Sequence, residues 1–448
     1  MASREQFSSK TGFIMAAAGS AIGLGNIWGF PTQTASNGGA AFVVVYFILA
    51  YCMAYPALMA ELVIGRHSKS NIVTALKGIS GDRGAPWFGV LVGIYGVVVA
   101  SLILSFYAIV AGWMLSYLSE SVFNIVGVTQ YNAWFTEFSF LRNFVFLAVF
   151  MALTMFVISR GVTAGIERWS TRLMPLLFIL LVALIIYVLT QKGASEGLKV
   201  YLLPDFNQLS PKLILDAMGQ AFFSLSLGVG TMLIYGSYLS EKENLPKLGA
   251  IVTFTDSGIA FVAGLLIIPA IFVAQEHGTT IFTETGSLIA GPDLIFQVLP
   301  TLFESMGSVG VFVAFAFFLL MSIAALTSSI SMLEVPVSLT TEETNMKRPM
   351  ATLIIGSAIF VISIIILLNF GALFGLVIDF TTVYSQPVLG ILLCVFVGWI
   401  WHRNHVLKAI KSGMNDAENS FFWKIWPMYV RFICPILILA NFVQSLRG

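Results

Sequence analysis

The residues with the most chemical potential in this chain are few, and they sit in apolar surroundings. Asp256 stands in Thr253-Phe254-Thr255-Asp256-Ser257, inside a long hydrophobic stretch. A carboxylate held within a bilayer costs about 3 kcal/mol or more, so it is either paired with a neighbouring hydroxyl or kept for a task such as binding a cation. Two glycine pairs lie in comparable surroundings. Gly23 and Gly25 occur in Gly19-Ser20-Ala21-Ile22-Gly23-Leu24-Gly25-Asn26, with Pro31 after them; Gly228 and Gly230 occur in Ser224-Leu225-Ser226-Leu227-Gly228-Val229-Gly230. Glycine costs roughly 1 kcal/mol against alanine in a helix interior. Each pair therefore marks either an unwound stretch lining a cavity or a close helix contact through small residues. An unwound stretch would present amides that favour a carboxylate and carbonyls that favour a cation.

The elements that carry these residues are membrane helices. Of 448 residues, 58% are hydrophobic and 10% charged, well below the roughly 25% charged residues of soluble domains. That excludes a disordered chain and argues against a soluble enzyme. The net charge of +1 gives no basic patch for nucleic acid. Cys52, Cys394 and Cys434 lie in apolar runs without a CxxC pair and read as buried small hydrophobes. The four histidines form no HExxH pattern, and no G-x-S-x-G or GxxxxGK[ST] occurs. The polar N-terminus enters its apolar run without a cleavage site, so no signal peptide is read there.

About 20 apolar residues cross a bilayer. Eleven stretches qualify, near 11–36, 40–65, 87–122, 141–159, 172–190, 213–238, 249–274, 308–338, 350–369, 372–401 and 425–446. With the N-terminus inside, 17 of the 23 Lys and Arg fall on inner segments and five, including Arg447, on outer ones, while Arg431 lies within the last span. The outer loop 275–306 carries Glu276, Glu284, Asp293 and Glu304 and no Lys or Arg. The positive-inside rule then places the N-terminus in the cytoplasm and the C-terminus outside.

The glycine interruptions fall in spans 1 and 6, five spans apart. Spans 1–5 (11–190) and 6–10 (213–401) therefore read as two repeats of five, the odd number turning the second copy upside down, with span 11 (425–446) appended to a single domain 1–448. Paired interruptions at matching positions of two halves point to a ligand site near the bilayer midplane. A channel would want a repeated pore ring, and none is visible. A membrane enzyme would need a nucleophile with a base or a metal cluster, and no nucleotide domain for pumping is encoded.

Several long motifs resemble the neurotransmitter:sodium symporter family. They are Gly19 to Trp28 with Phe30-Pro31, Asn37-Gly38-Gly39-Ala40-Ala41-Phe42, Ile158-Ser159-Arg160-Gly161-Val162 with Gly165-Ile166-Glu167-Arg168, Gly219 to Gly228, and Leu326-Thr327-Ser328-Ser329. Within the family the chain is similar to the bacterial hydrophobic amino-acid transporters. The resemblance implies an all-α integral membrane protein with the leucine-transporter fold: eleven transmembrane helices, a 5+5 inverted repeat and unwound spans 1 and 6. It implies a sodium-coupled importer of hydrophobic L-amino acids in the bacterial inner membrane, with no obligate protein partner evident. A non-transporting amino-acid sensor on the same fold is the alternative. Two sodium sites are implied. One uses Ala21, Asn26, Ser224 and Asp256 with the substrate carboxylate; the other uses the carbonyls of Gly19, Ile22 and Ala324 and the hydroxyls of Thr327 and Ser328. Oxygen donors of this kind suit hard cations. Many animal relatives have asparagine at the Asp256 position and bind chloride nearby, so a fixed carboxylate here implies transport without chloride.

Gly23 stands where amine transporters of the family carry an aspartate, which favours an α-amino acid, and Tyr107 occupies the position that binds its carboxylate. Ala21, Gly25, Ser224 and Ser226 belong to the implied substrate site, with Ile103, Phe223, Val229, Ser328 and Met332 as its wall. Val229, small for its position, leaves room for a medium to large apolar side chain. Gly29 departs from the family, where an arginine pairs with an acid of span 10 to close the outer gate. Asp379 is the expected acid with its partner missing; either another donor serves, together with Gln220, or the outer gate closes by packing alone. At the inner gate Arg4 is expected to reach Glu342 beside Ser237 and Tyr238, with Phe7 replacing a tryptophan. Gly165 and Pro175 have the spacing that accompanies unwinding of span 5.

Overall fold

The structure, a computed structural model, describes residues 4–281, 294–414 and 416–446. Glu284, Asp293 and Arg447 of the charge argument lie outside these. The described residues are mostly helical, with no strand among them. Among the described residues nine helices are long and apolar enough to cross a membrane: Ala40–Ser68, Pro86–Ile125, Phe140–Ser159, Val162–Leu189, Leu245–Glu276, Ser308–Thr344, Arg348–Leu368, Phe370–Ile400 and Phe421–Ser445. A tenth is a bent pair, Lys10–Ala21 with Gly25–Ser36, meeting at 54°. The remaining expected segment, 213–238, is two short helices, Pro211–Ser224 and Thr231–Ser237, neither long enough alone. We keep the labels span 1 to span 11 in chain order.

Local sequence explains many of the ends. Ser9, Ser210, Asn244 and Ser420 each cap a helix with a side-chain oxygen accepting a backbone N–H, and proline follows at the first or second position of the helices after Ser210 and Asn244. Span 6 breaks where the chain turns left-handed three times in five residues, at Ser226 (φ 52°), Gly228 (φ 68°) and Gly230 (φ 82°). Glycine adopts this region freely and serine does so at a cost of order 1 kcal/mol or more. The Ser226 hydroxyl offsets part of that by donating to the carbonyl of Ser20 at 3.1 Å. The break in span 6 is thereby tied to the break in span 1.

Spans 3 and 8 pack on each other, and span 8 also packs on the first half of span 1 and the second half of span 6. Span 5 differs from the expectation. Gly165 and Pro175 do not bound an unwound stretch here: Val162–Glu167 is a π-helical turn leading directly into Arg168–Leu189, with Pro175 inside that helix. The cysteine reading also needs correcting. Cys394 and Cys434 are buried, but Cys52 is exposed on the outside of the bundle, where a membrane helix can show a small apolar residue to lipid.

Candidate substrate and cation site

Asp256, on span 7, is fully buried. Its Oδ1 accepts from Asn26 Nδ2 at 2.7 Å and its Oδ2 accepts from Ser224 Oγ at 2.8 Å. Asn26 also donates to the Asp256 carbonyl at 3.1 Å, and Tyr46 donates to Ser224 Oγ at 3.2 Å. Asp256 makes no ion pair with a basic side chain among the described residues. Asn26 Oδ1 is buried with no partner. An orphaned acceptor costs about 1–3 kcal/mol, and here it lies beside a carboxylate with no countercharge, so the cluster is chemically suited to a small hard cation.

The second set faces itself across spans 1 and 8. Ser328 Oγ donates toward the carbonyls of Gly19 at 3.3 Å and Ser20 at 3.1 Å. Thr327 Oγ1 bonds back to the carbonyls of Ile323 and Ala324, both at 3.1 Å. A methyl group on Gly19 would lie 3.1 Å from Thr327 Cβ, so the approach is close. Ile22 ends the first half of span 1: its N–H still bonds Ala18, but its ψ of 91° carries the chain out of the helix.

Between the breaks lies a small cavity of about 30 Å³, lined by Ala21, Gly23, Gly25, Ile103, Tyr107, Phe223, Ser226, Val229, Ser328 and Met332. Leu24 and Gln386 complete the wall. Ser224 is absent from it because its hydroxyl turns to Asp256. The wall contains no charged side chain. A Cβ on Gly23 would fall 2.4 Å from Ser328 Oγ and 2.8 Å from Tyr107 OH, so any side chain there would displace the polar groups of spans 3 and 8. Tyr107 OH accepts from Leu24 N–H at 3.3 Å, at the start of the second half of span 1.

Above this cavity, on the face opposite the N-terminus, opens a larger one of about 610 Å³. Leu24, Tyr107 and Phe223 line both and separate them. Gly29 and Gln220 line the larger cavity, but Asp379 does not. Gln220 Nε2 donates to the Gly25 carbonyl at 2.8 Å, so it holds span 1 rather than reaching Asp379. Asp379 is exposed and makes no ion pair among the described residues. The expected Gln220–Asp379 partnership is therefore not formed.

The N-terminal face is different. Arg4 ion-pairs with Glu342, donates to Ser237 Oγ at 2.8 Å and stacks over Tyr238 at 4.6 Å. Phe7 packs edge-on against Phe13, Tyr235 and Tyr238. In the loop nearby, the hydrogen bond from Lys69 holds the exposed Glu241 carboxyl below its usual range.

Three buried carboxylates were not singled out from sequence. Glu61 of span 2 accepts from the Gly228 N–H at 2.8 Å, inside the break of span 6. Glu334 of span 8, fully buried, ion-pairs with Arg348 and accepts from Tyr238 OH at 2.5 Å. Glu167 accepts from Ser8 N–H and Ser8 Oγ, both at 2.8 Å, and from Ser9 Oγ at 3.0 Å. The rule that marked Asp256, an acid inside an apolar run, also fits Glu61 and Glu334. Gln386, which donates to the Leu227 carbonyl at 2.7 Å, carries no comparable signal.

The family model of the sodium:neurotransmitter symporters matches residues 4–139 and 140–447. The chain belongs to the sodium:neurotransmitter symporter family. An uncharacterized sodium-dependent transporter of Bacillus subtilis (strain 168), YhdH, is 37% identical over 98% of this chain and 97% of its own length. The sodium-dependent serotonin transporter of Drosophila melanogaster is 28% identical over 99% of this chain and 77% of its own. The solved structure of MhsT in complex with L-phenylalanine has a TM-score of 0.84 at 37% identity, covering 99% of this chain and 100% of that one. The symporter thus has the leucine-transporter fold and is a sodium-coupled, multi-pass membrane transporter of a small molecule rather than an enzyme.

Proposed function

We propose that this symporter imports hydrophobic L-amino acids with sodium and without chloride, from the outside of a bacterial inner membrane, its N-terminus in the cytoplasm. The observation that carries the substrate class is the wall of the small cavity. It is apolar on one side, at Ile103, Phe223, Val229 and Met332, and has no acid to pair a lone amine. The substrate carboxylate would meet Tyr107 OH and the amides that begin the second half of span 1, where the helix dipole favours an anion. The L-phenylalanine held by MhsT supports the same class.

Two sodium ions are part of this reading. The first takes oxygens of Ala21, Asn26, Ser224 and Asp256, together with the substrate carboxylate. The unpaired Asn26 Oδ1 and the uncompensated Asp256 support it. The second takes Gly19, Ile22, Ala324, Thr327 and Ser328, whose hydroxyls would turn from carbonyls to the ion. Asp256 supplies as a fixed charge what chloride supplies elsewhere in the family, hence the chloride independence. Spans 1–5 and 6–10 act as the two inverted repeats, rocking about the breaks in spans 1 and 6.

A scintillation-proximity screen of the twenty amino acids in sodium gluconate tests this reading. Sodium-dependent competition by large apolar amino acids is expected. Competition by none of the twenty would overturn the substrate class, and strict dependence on added chloride would overturn the role given to Asp256. Counterflow in proteoliposomes separates the transporter from a sensor that binds without moving its ligand.

A further inference from the structure

We propose that the groove between the end of span 10 and the start of span 11 binds the headgroup of an anionic phospholipid in the leaflet on the N-terminal face. The groove, about 90 Å³, is lined by Trp401, Arg403, Trp423, Trp426, Pro427 and Arg431 among others. Arg431 lies inside an apolar span, in the π-helical turn Tyr429–Ile433. Its depth can be read from its neighbour: a Cβ on Gly398 would lie 2.8 Å from Arg431 Cα, and Gly398 is close to the end of the helix Phe370–Ile400. Arg431 is therefore level with the membrane interface, where tryptophans anchor.

The guanidinium of Arg431 has no protein anion among the described residues. It sits 4.1 Å from the Trp399 ring centroid and 5.3 Å from that of Phe432, and its Nε is buried without a partner. Neither Arg431 nor Arg403 forms an ion pair among the described residues. The nearby acids are occupied: Glu418 pairs with Lys411, and Asp416 accepts from Asn419. The indoles are also engaged elsewhere, Trp399 with the Arg431 carbonyl at 3.0 Å and Trp426 with that of Pro56 at 3.0 Å. Arg403 stacks on Trp423 at 5.5 Å, which puts a second guanidinium on the same groove.

A charged donor fork at this depth needs an acceptor, and a phosphodiester matches it in shape and charge. Two arginines without an acid repel the ammonium of a zwitterionic headgroup, which selects a lipid of net negative charge; basic pockets between membrane helices bind such headgroups. Free phosphate offers the same anion, but it lacks the acyl chains that would lie along the exposed Phe432, Ile433 and Ile436.

Native mass spectrometry and thermal unfolding of the delipidated full-length protein test the site, with phosphatidylglycerol, phosphatidylcholine and inorganic phosphate as probes. One retained phosphatidylglycerol and a raised Tm are expected, with neither effect from the other two. Each of R403Q and R431Q should lower retention by roughly fivefold, the usual weight of one basic residue at a lipid surface. Equal retention of phosphatidylcholine, an equal Tm shift from phosphate alone, or unchanged phosphatidylglycerol retention in the double variant overturns the proposal. If R431Q does not fold, the exposed Arg403 carries the test: unchanged retention in an R403Q protein that still binds its transport ligand with sodium is a refutation.

Discussion

The two faces of this symporter handle charge in opposite ways. On the N-terminal face Arg4 meets Glu342, Arg348 meets the buried Glu334, and Tyr238 touches both groups. A strap formed by residues 4–9 is bound along its length. Glu5 accepts from Val162 N–H at 2.6 Å, Phe7 N–H reaches the Tyr238 carbonyl at 3.1 Å, and Ser8 and Ser9 hold Glu167. On the opposite face a cavity of about 610 Å³ reaches down to Tyr107 and Phe223. Asp379 lies outside the lining of that cavity and makes no ion pair among the described residues, and the position of its expected partner is Gly29. One face is closed by directed bonds that must all be exchanged together. Around the cavity the polar links are of another kind: Lys212 pairs with Asp216 and reaches Asn37 Oδ1 at 3.4 Å, and Gln220 holds the Gly25 carbonyl, but no arginine meets an acid there among the described residues. The difference suits a state open to one side, with the closed side fastened more firmly than the open side could be.

Three substitutions would break or sharpen this contrast. The largest effect is expected from Arg348→Ala. It leaves Glu334 buried without its cation, and stranding one member of a buried pair costs about 3–5 kcal/mol. Denaturant or thermal unfolding of the purified protein should show the loss, and Glu334→Gln placed on top should restore part of it. Next is Glu167→Ala. This carboxylate joins the start of span 5 to the cap of span 1, and hydrogen bonds to a charged group contribute roughly 1.5–3 kcal/mol. Faster hydrogen exchange in residues 4–12 and 162–170 together is the expected outcome; faster exchange in only one segment would show that the two do not move as a unit. The smallest effect is expected from Gly29→Arg. A Cβ at Gly29 comes no nearer than 3.4 Å to Gln220, so the added side chain fits at the mouth of the cavity, and the measurement tests whether it reaches Asp379, which lies outside the cavity lining. An exposed pair contributes about 1 kcal/mol or less, enough for at most a few-fold slower cysteine labelling inside the vestibule. Unchanged labelling would mean that packing alone governs this face.

Much of the architecture could be read from the chain because membrane helices obey simple length and composition rules. The stretches 40–65, 87–122 and 308–338 each lie inside one long observed helix, with ends extended by a few residues where the helices project beyond the apolar run. The breaks were legible because glycine is expensive in a helix. Span 5 was harder. Gly165 and Pro175 permit unwinding, but packing keeps the segment helical here, and a sequence states only what the backbone tolerates. The site was legible through Asp256 and Asn26, polar residues out of place in an apolar run. Glu61 and Glu334 obey the same rule but stood unremarked beside the more familiar motifs.

By itself the sequence determined that the chain crosses a membrane many times, that spans 1 and 6 carry glycine pairs able to interrupt them, and which side chains are too costly to be incidental. These follow from local terms: the transfer of apolar residues into lipid, the backbone freedom of glycine, and the price of a buried charge. Tertiary structure alone decided the partners. That Gln220 holds Gly25 rather than Asp379, that Ser224 turns to Asp256 and away from the small cavity, and that Glu167 grips the strap all depend on distances between helices far apart in the chain. Those distances are set by packing across the whole bundle, which no local pattern encodes.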